Sequence, residues 1–121
     1  MGTKYGSVSE ELELFASAAR TATANGTTLG IGAGKRKVTG YLDVTAASGT
    51  SPTLDAKLQD SVDNGTTWTD IDGGTFAQKT AAGQEYITVL CRRAANAIRA
   101  VATIGGGSPS FTFGLIAVAS S

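Results

Sequence analysis

Residues 110–119 read Ser-Phe-Thr-Phe-Gly-Leu-Ile-Ala-Val-Ala, and this stretch decides the fold of the chain. Phe111, Phe113, Leu115 and Ala117 recur at every second position, which is the period of a β-strand with one buried face. That face is apolar over its whole length, as in a strand that lies inside a sheet rather than at its edge. The sequence therefore predicts a central β-strand here.

Seven further segments have strand composition and are separated by short turns. They lie at residues 11–16, 27–31, 38–46, 53–59, 67–71, 84–91 and 97–104. At residues 11–16 a short helix is the competing prediction, because glutamate is a poor strand former. Asn25 and Gly26 suit a tight turn, and Gly40 suits a β-bulge. We expect about eight strands in one antiparallel, jelly-roll-like β-sandwich over residues 10–121, preceded by an N-terminal arm at residues 1–9.

A short pattern occurs twice, 57 positions apart. Residues 49–54 read Gly-Thr-Ser-Pro-Thr-Leu, and residues 106–111 read Gly-Gly-Ser-Pro-Ser-Phe. In each copy a strand is followed by a Gly/Ser turn and by a proline, whose missing N–H is tolerated at the first position of the next strand. The pattern predicts two similar hairpins at related corners of the sandwich.

Composition excludes several classes of function. The 121 residues suffice for one domain, and 10 basic and 10 acidic residues cancel, so no basic field for nucleic acid is expected. Histidine is absent, which excludes His-dependent triads and His zinc sites. The single cysteine, Cys91, allows no intramolecular disulfide and is expected to be a small buried residue. We therefore expect no enzyme activity, no cofactor, no metal site and no membrane segment.

Residues 61–68 form the most specific short motif. They read Ser-Val-Asp-Asn-Gly-Thr-Thr-Trp and resemble the Asp-box, Ser-x-Asp-x-Gly-x-Thr-Trp, of sialidases and other β proteins. In those families the box is a structural turn. The turn begins at Ser61. We expect Asp63 to accept hydrogen bonds from backbone N–H groups of this turn, and Gly65 to adopt a left-handed conformation. Trp68 would then pack the turn onto the core.

Two basic clusters are the candidate partner contacts. Lys35, Arg36 and Lys37 follow a glycine-rich stretch, and Arg92 and Arg93 follow a predicted strand. Either cluster suits an acidic patch on a partner protein, and the alternative is a pair of solvated loops.

Residues 41–118 resemble small virion structural proteins of tailed bacteriophages, over about two thirds of the chain. The segments that carry the resemblance are Ser-Gly-Thr-Ser-Pro-Thr-Leu-Asp (48–55), Leu-Gln-Asp-Ser (58–61), Asn-Gly-Thr-Thr-Trp (64–68), Thr-Phe-Ala-Gln (75–78), Thr-Ala-Ala-Gly (80–83), Ala-Ile-Arg-Ala (97–100) and Ser-Pro-Ser-Phe-Thr-Phe (108–113).

The resemblance implies a non-enzymatic structural role. It favours a capsid decoration (cement) protein on the outside of the head lattice, made in the bacterial cytoplasm and located in the virion. The implied partners are the major capsid protein and further copies of the chain, without nucleic acid or membrane, and the N-terminal arm and the basic clusters are the expected contacts. A phage neck or tail protein and a carbohydrate-binding β-sandwich module are the alternatives. A sugar-binding module needs exposed aromatic residues, and with one Trp, three Tyr and four Phe we expect few outside the core.

Overall fold

The computed structural model of the protein describes residues 9–31 and 36–120. These residues form seven β-strands and no helix: β1 (Ser9–Arg20), β2 (Ala24–Asn25), β3 (Leu29–Gly30), β4 (Lys37–Ser61), β5 (Thr69–Thr75), β6 (Gly83–Leu90) and β7 (Ala97–Ser120). Every pairing between strands is antiparallel. The predicted all-β antiparallel fold is confirmed, with a strand rather than a helix at residues 11–16. Within the described ranges there is no helix long and apolar enough to cross a membrane.

Two long strands organise the sheet. β4 and β7 pair with each other from Lys37 opposite Ser120 to Ser61 opposite Ala97. Beside the first half of β4 and the second half of β7 lie β6 and β1, and these four segments form the first layer. Beside the other halves lie β5, β2 and β3, which complete the second layer. The stretch at residues 110–119 is central, as predicted, because β7 lies between β1 and β4.

The hydrophobic core lies between the two layers. Gly40 of the first layer approaches the second so closely that a Cβ atom there would lie 3.3 Å from Leu58 Cδ1 and 3.3 Å from Phe76 Cζ. The largest fully buried apolar side chains are Phe76, Phe111, Phe113, Leu14, Leu42, Leu54, Leu58, Ile98, Leu115, Val38 and Val44. Each such side chain stabilises the fold by about 1.5–3 kcal/mol through burial alone.

The repeated Gly-x-Ser-Pro pattern marks the corner where β4 and β7 pass between the layers. Gly49 and Gly106 have φ angles of +118° and +113°, and Ser51 and Ser108 have φ angles of 47° and 45°. Thr50 of the first copy lies opposite Gly107 of the second. The prediction of two hairpins is wrong, because neither copy reverses the chain. The two copies instead pair with each other around an approximate twofold axis.

Three local expectations are also corrected. The predicted strands at residues 38–46 and 53–59 are one strand, β4, and those at residues 97–104 and 110–119 are one strand, β7. The prediction of a tight turn at Asn25 and Gly26 is wrong, because both residues pair with β7: Asn25 pairs with Val101, and Gly26 N donates to Ala100 O at 2.7 Å.

Gly40 forms no bulge. It pairs in register with Ile87 and Ala117, and the first register shift between β4 and β7 falls between Val44 and Ala46. Of the expected N-terminal arm, residues 1–8 lie outside the described residues, and Ser9 is the first residue of β1.

Candidate binding surfaces

The Asp-box-like segment forms a turn held by its own side chains. Ser61 Oγ donates to Asp63 Oδ1 at 2.7 Å and accepts from Gly65 N at 2.8 Å. Asp63 Oδ1 also accepts from Thr67 N at 2.8 Å. Asn64 and Gly65 both lie in the left-handed region, with φ angles of 60° and 93°. The hydrogen bond from Ser61, followed by that from Thr67 N, lowers the Asp63 pKa from 3.8 to about 2.

Trp68 lies beside this turn rather than deep in the core. Its ring is half-buried, and the Arg99 guanidinium carbon lies 4.5 Å from the ring centroid. Arg99 Nε in turn donates to Gln59 Oε1 at 2.8 Å. The tryptophan therefore fixes a cation–π contact across the second layer instead of filling the space between the layers.

The structure brings the two basic clusters to one end of the first layer. Cys91 N donates to Arg36 O at 2.8 Å, and Arg36 Nε donates to Cys91 O at 3.2 Å. Lys37 pairs with Leu90 in the adjacent register position. We call Arg36, Lys37, Arg92 and Arg93 the basic end; Lys35 lies outside the described residues.

Arg92 differs from the other members of the basic end because it has a buried partner. Asp60 is only 2% exposed, and its carboxylate accepts hydrogen bonds from Arg92 Nε at 2.7 Å and from Arg92 N at 2.9 Å. A cavity of about 300 Å³ lies beside this pair and is also lined by Arg36 and Cys91. Burial raises the pKa of the Cys91 thiol to about 11, so this side chain is no nucleophile near neutral pH.

The aspartates of residues 55–72 do not converge. Asp55 accepts from Gln78 Nε2, and Asp70 accepts from Lys57 Nζ at 3.1 Å. Among the described residues no group of three potential ligands could hold a metal ion.

A third surface was not anticipated from the sequence. Residues on the outer side of the first layer include Tyr41, Tyr86, Leu90, Ile116 and Val118, which we call the tyrosine face. Tyr41 pairs with both Tyr86 and Ile116, and residues that pair directly have side chains on the same side of a sheet. Tyr86 is 71% exposed and Leu90 61%. The alternation along β4 contained the signal, since Tyr41 is out of phase with the buried Val38, Leu42 and Val44.

A small cavity opens beside the tyrosine face. Its volume is about 160 Å³, and it is lined by Glu13, Phe15, Ser17, Tyr41, Asp43, Gly114 and Ile116. The register of β1 shifts between Phe15 and Ala18, and this shift brings Ser17 over Gly114. A Cβ atom on residue 114 would lie 3.4 Å from Ser17 Cα. The cavity therefore depends on the β1 irregularity and on the missing side chain at position 114.

No known protein family matches the sequence, and no curated protein does. The fold is similar to solved structures. The infectious bursal disease virus VP2 subviral particle matches with a TM-score of 0.60 and 14% identity, over 92% of this chain and 32% of the viral one. The SPBc2 prophage-derived protein YomS matches with a TM-score of 0.52 and 13% identity, over 94% and 96% of the two chains.

A third similar structure is the CBM36-1 domain of a multidomain xylanase from the hindgut metagenome of Trinervitermes trinervoides. Its TM-score is 0.52, at 8% identity over 93% of this chain and 98% of that domain. The chain spans about a third of the viral chains it matches. At these identities the likeness establishes a shared β-sandwich fold.

Proposed function

We propose that the chain is a structural protein of a tailed-bacteriophage virion, and specifically a capsid decoration protein bound to the outside of the head lattice. The observation that carries the proposal is the similarity of the fold to a virus particle protein and to a prophage-derived protein. Each of these matches covers nearly the whole of this chain. The resemblance of residues 41–118 to phage virion proteins supports the same role.

A decoration protein acts by mass action. It binds the assembled lattice and not the free subunits, so its binding free energy is added to the stability of the shell. A ligand at 100 times its Kd adds about 2.7 kcal/mol per site. A rigid β-sandwich suits this task because little conformational entropy is lost when it binds.

The basic end is the proposed contact with an acidic patch on the major capsid protein. Lys37 and Arg93 are exposed, whereas Arg92 is already engaged with Asp60. Arg36 and Lys35 complete the proposed contact. Arg93 and Lys37 are therefore the residues through which attachment can be tested without disturbing the fold.

The experiment is co-sedimentation of the purified chain with heads of the encoding phage that lack it. The variant with Lys37→Glu and Arg93→Glu is compared with one carrying Thr80→Glu and Ala82→Glu. Thr80 and Ala82 are exposed and precede β6, at the end opposite the basic end. We expect saturable binding of the wild type and of the control, and at least about a tenfold rise in Kd for the first variant. No binding of the wild type to heads contradicts the proposal.

Related binding measurements distinguish two other roles, a neck or tail protein and a carbohydrate-binding module. Binding to tails or necks and not to heads would make the chain a neck or tail protein. The exposed pair Tyr41 and Tyr86, with the likeness to the CBM36-1 domain, favours a carbohydrate-binding module as the second candidate. Specific hits on a glycan array, lost on Tyr86→Ala, would support that candidate.

A further inference from the structure

We propose that the tyrosine face is a docking surface for a protein that presents an apolar patch beside a lysine or arginine side chain. This rests on the proposed function, because in a virion that protein is a neighbouring subunit of the shell.

The apolar part of the tyrosine face is continuous. Tyr86, Tyr41 and Ile116 form one row across β6, β4 and β7, and Val118 stands in the next row, opposite Thr39. Tyr86 is 71% exposed, Tyr41 38% and Val118 39%. Adjacent exposed apolar side chains of this kind favour an interaction site.

The composition of the face favours a protein partner over a sugar. Ile116, Val118 and Leu90 are aliphatic and offer neither a ring to stack on a sugar nor a hydrogen bond. Tyrosine at the centre, aliphatic neighbours and a polar rim are the arrangement of protein–protein interfaces. Thr39 and Thr88, whose hydroxyl oxygens lie 3.0 Å apart, share one hydrogen bond, which reduces the cost of covering this row.

The acidic residues around the tyrosine face favour a partner with a basic side chain. Glu11 pairs with Val118 and Glu13 with Ile116, so both carboxylates border the apolar row on the β1 side. Asp43 lies on the same side of β4, and Lys37 is the cation on the outer side of the first-layer half of that strand. Three carboxylates against one ammonium make the face acidic, although the whole chain has a net charge of zero.

The cavity beside Tyr41 gives this basic side chain a place to enter. Glu13, Asp43 and Tyr41 are among the residues that line the cavity, which has a volume of about 160 Å³. A guanidinium or ammonium group there would meet carboxylates and an aromatic face at once, which are its two preferred surroundings. Glu13 is exposed, so the cavity is open to a partner.

Two variants test the inference on heads of the encoding phage. Tyr86→Ala removes the most exposed ring, and Glu13→Lys reverses the charge at the cavity. Val62→Ala is the control, because Val62 is 41% exposed and follows β4 in the second layer. Both test residues are exposed, and thermal unfolding checks that each variant folds.

We expect Tyr86→Ala and Glu13→Lys each to raise the Kd for heads about tenfold or more, and Val62→Ala to leave it within about twofold. If the wild type binds heads and both variants bind them equally well, the inference is overturned and the proposed function still stands. Glycan binding lost on Tyr86→Ala, with head binding unchanged, also overturns it. So does a dimer of the free chain that Tyr86→Ala dissociates, with head binding unchanged. Absence of wild-type binding contradicts the proposed function itself.

Discussion

Asp60 and Arg92 form an ion pair in which one partner is buried and the other is half-exposed. The side chain of Asp60 is 2% exposed and that of Arg92 44%, and Asp60 Oδ1 lies 2.7 Å from Arg92 Nε. Arg92 N donates to the second carboxylate oxygen at 2.9 Å. The pair joins the end of β4 to the residues after β6, so one arginine of the basic end has a structural role in addition to any contact with a partner.

Removal of the Arg92 side chain is expected to destabilise the domain. In Arg92→Ala the buried Asp60 carboxylate loses its charged partner and keeps the Arg92 backbone N–H, at a cost of about 1–3 kcal/mol in the free energy of unfolding. Urea denaturation measures this change. Arg93→Ala is the control, because Arg93 is exposed, and should alter stability by less than about 0.5 kcal/mol. Equal stabilities of the two variants would show that the ion pair contributes nothing.

Alanine at Gly49 or Gly106 is expected to disrupt the corner. A Cβ atom at Gly49 would lie 2.8 Å from Ser108 O, and one at Gly106 would lie 2.8 Å from Ser51 O. Both glycines also have positive φ, which adds strain of about 1–3 kcal/mol per site. We expect each variant to lose at least that much stability in chemical denaturation, and the two losses to be similar because the corner is symmetric.

Gly83→Ala is the matched control for the corner. A Cβ atom at Gly83 would meet no atom within 4 Å, and Gly83 has no positive φ. Its stability should change by less than about 1 kcal/mol. A corner variant as stable as Gly83→Ala would contradict the described crossing of β4 and β7.

Asp63 is expected to make the Asp-box-like turn sensitive to acid. Its pKa in the folded chain is about 2, below its ordinary value of 3.8, chiefly because Ser61 donates to the carboxylate. A lowered pKa contributes stability that is present above pH 3.8 and is lost as the pH falls through about 2. In Asp63→Asn this contribution is missing at neutral pH. The melting temperatures of wild type and variant should therefore differ at pH 6 and converge near pH 2, and a difference that persists at low pH would exclude this cause.

Cys91 is expected to be unreactive in the folded chain. It is 1% exposed, and burial raises its pKa to about 11, so very little thiolate exists at neutral pH. Because it is the single cysteine, its alkylation reports on one site alone. Mass spectrometry after treatment with iodoacetamide at pH 8 should show almost no modification of the folded chain and complete modification in urea. Rapid labelling without denaturant would contradict the described burial.

Strand content was predictable from the sequence because alternation directly reflects burial. The buried Phe111, Phe113, Leu115 and Ala117 occupy the positions expected from the period of two. The corner was not predictable from the same signal. Gly, Ser and Pro favour both a chain reversal and a strongly bent strand, and only the pairing of Thr50 with Gly107 distinguishes them.

The candidate surfaces depended on the fold in the same way. Charge alone identified the basic clusters, but their proximity follows from the pairing of Lys37 with Leu90, which are far apart in sequence. Tyr41 and Tyr86 face solvent because the alternation along β4 and β6, together with the pairing of these two residues, places both side chains on the outer side of the first layer. An aromatic residue in a strand is more often buried than exposed, so composition alone pointed the other way.

The most direct test of the proposed role is the number of copies of the chain in purified particles of the encoding phage. Quantitative mass spectrometry gives this number relative to the major capsid protein. The proposal predicts a simple fraction of one copy per capsid subunit, as expected for a protein distributed over the whole lattice. A few copies per particle would place the chain in the neck or tail, and complete absence from particles would contradict a virion role.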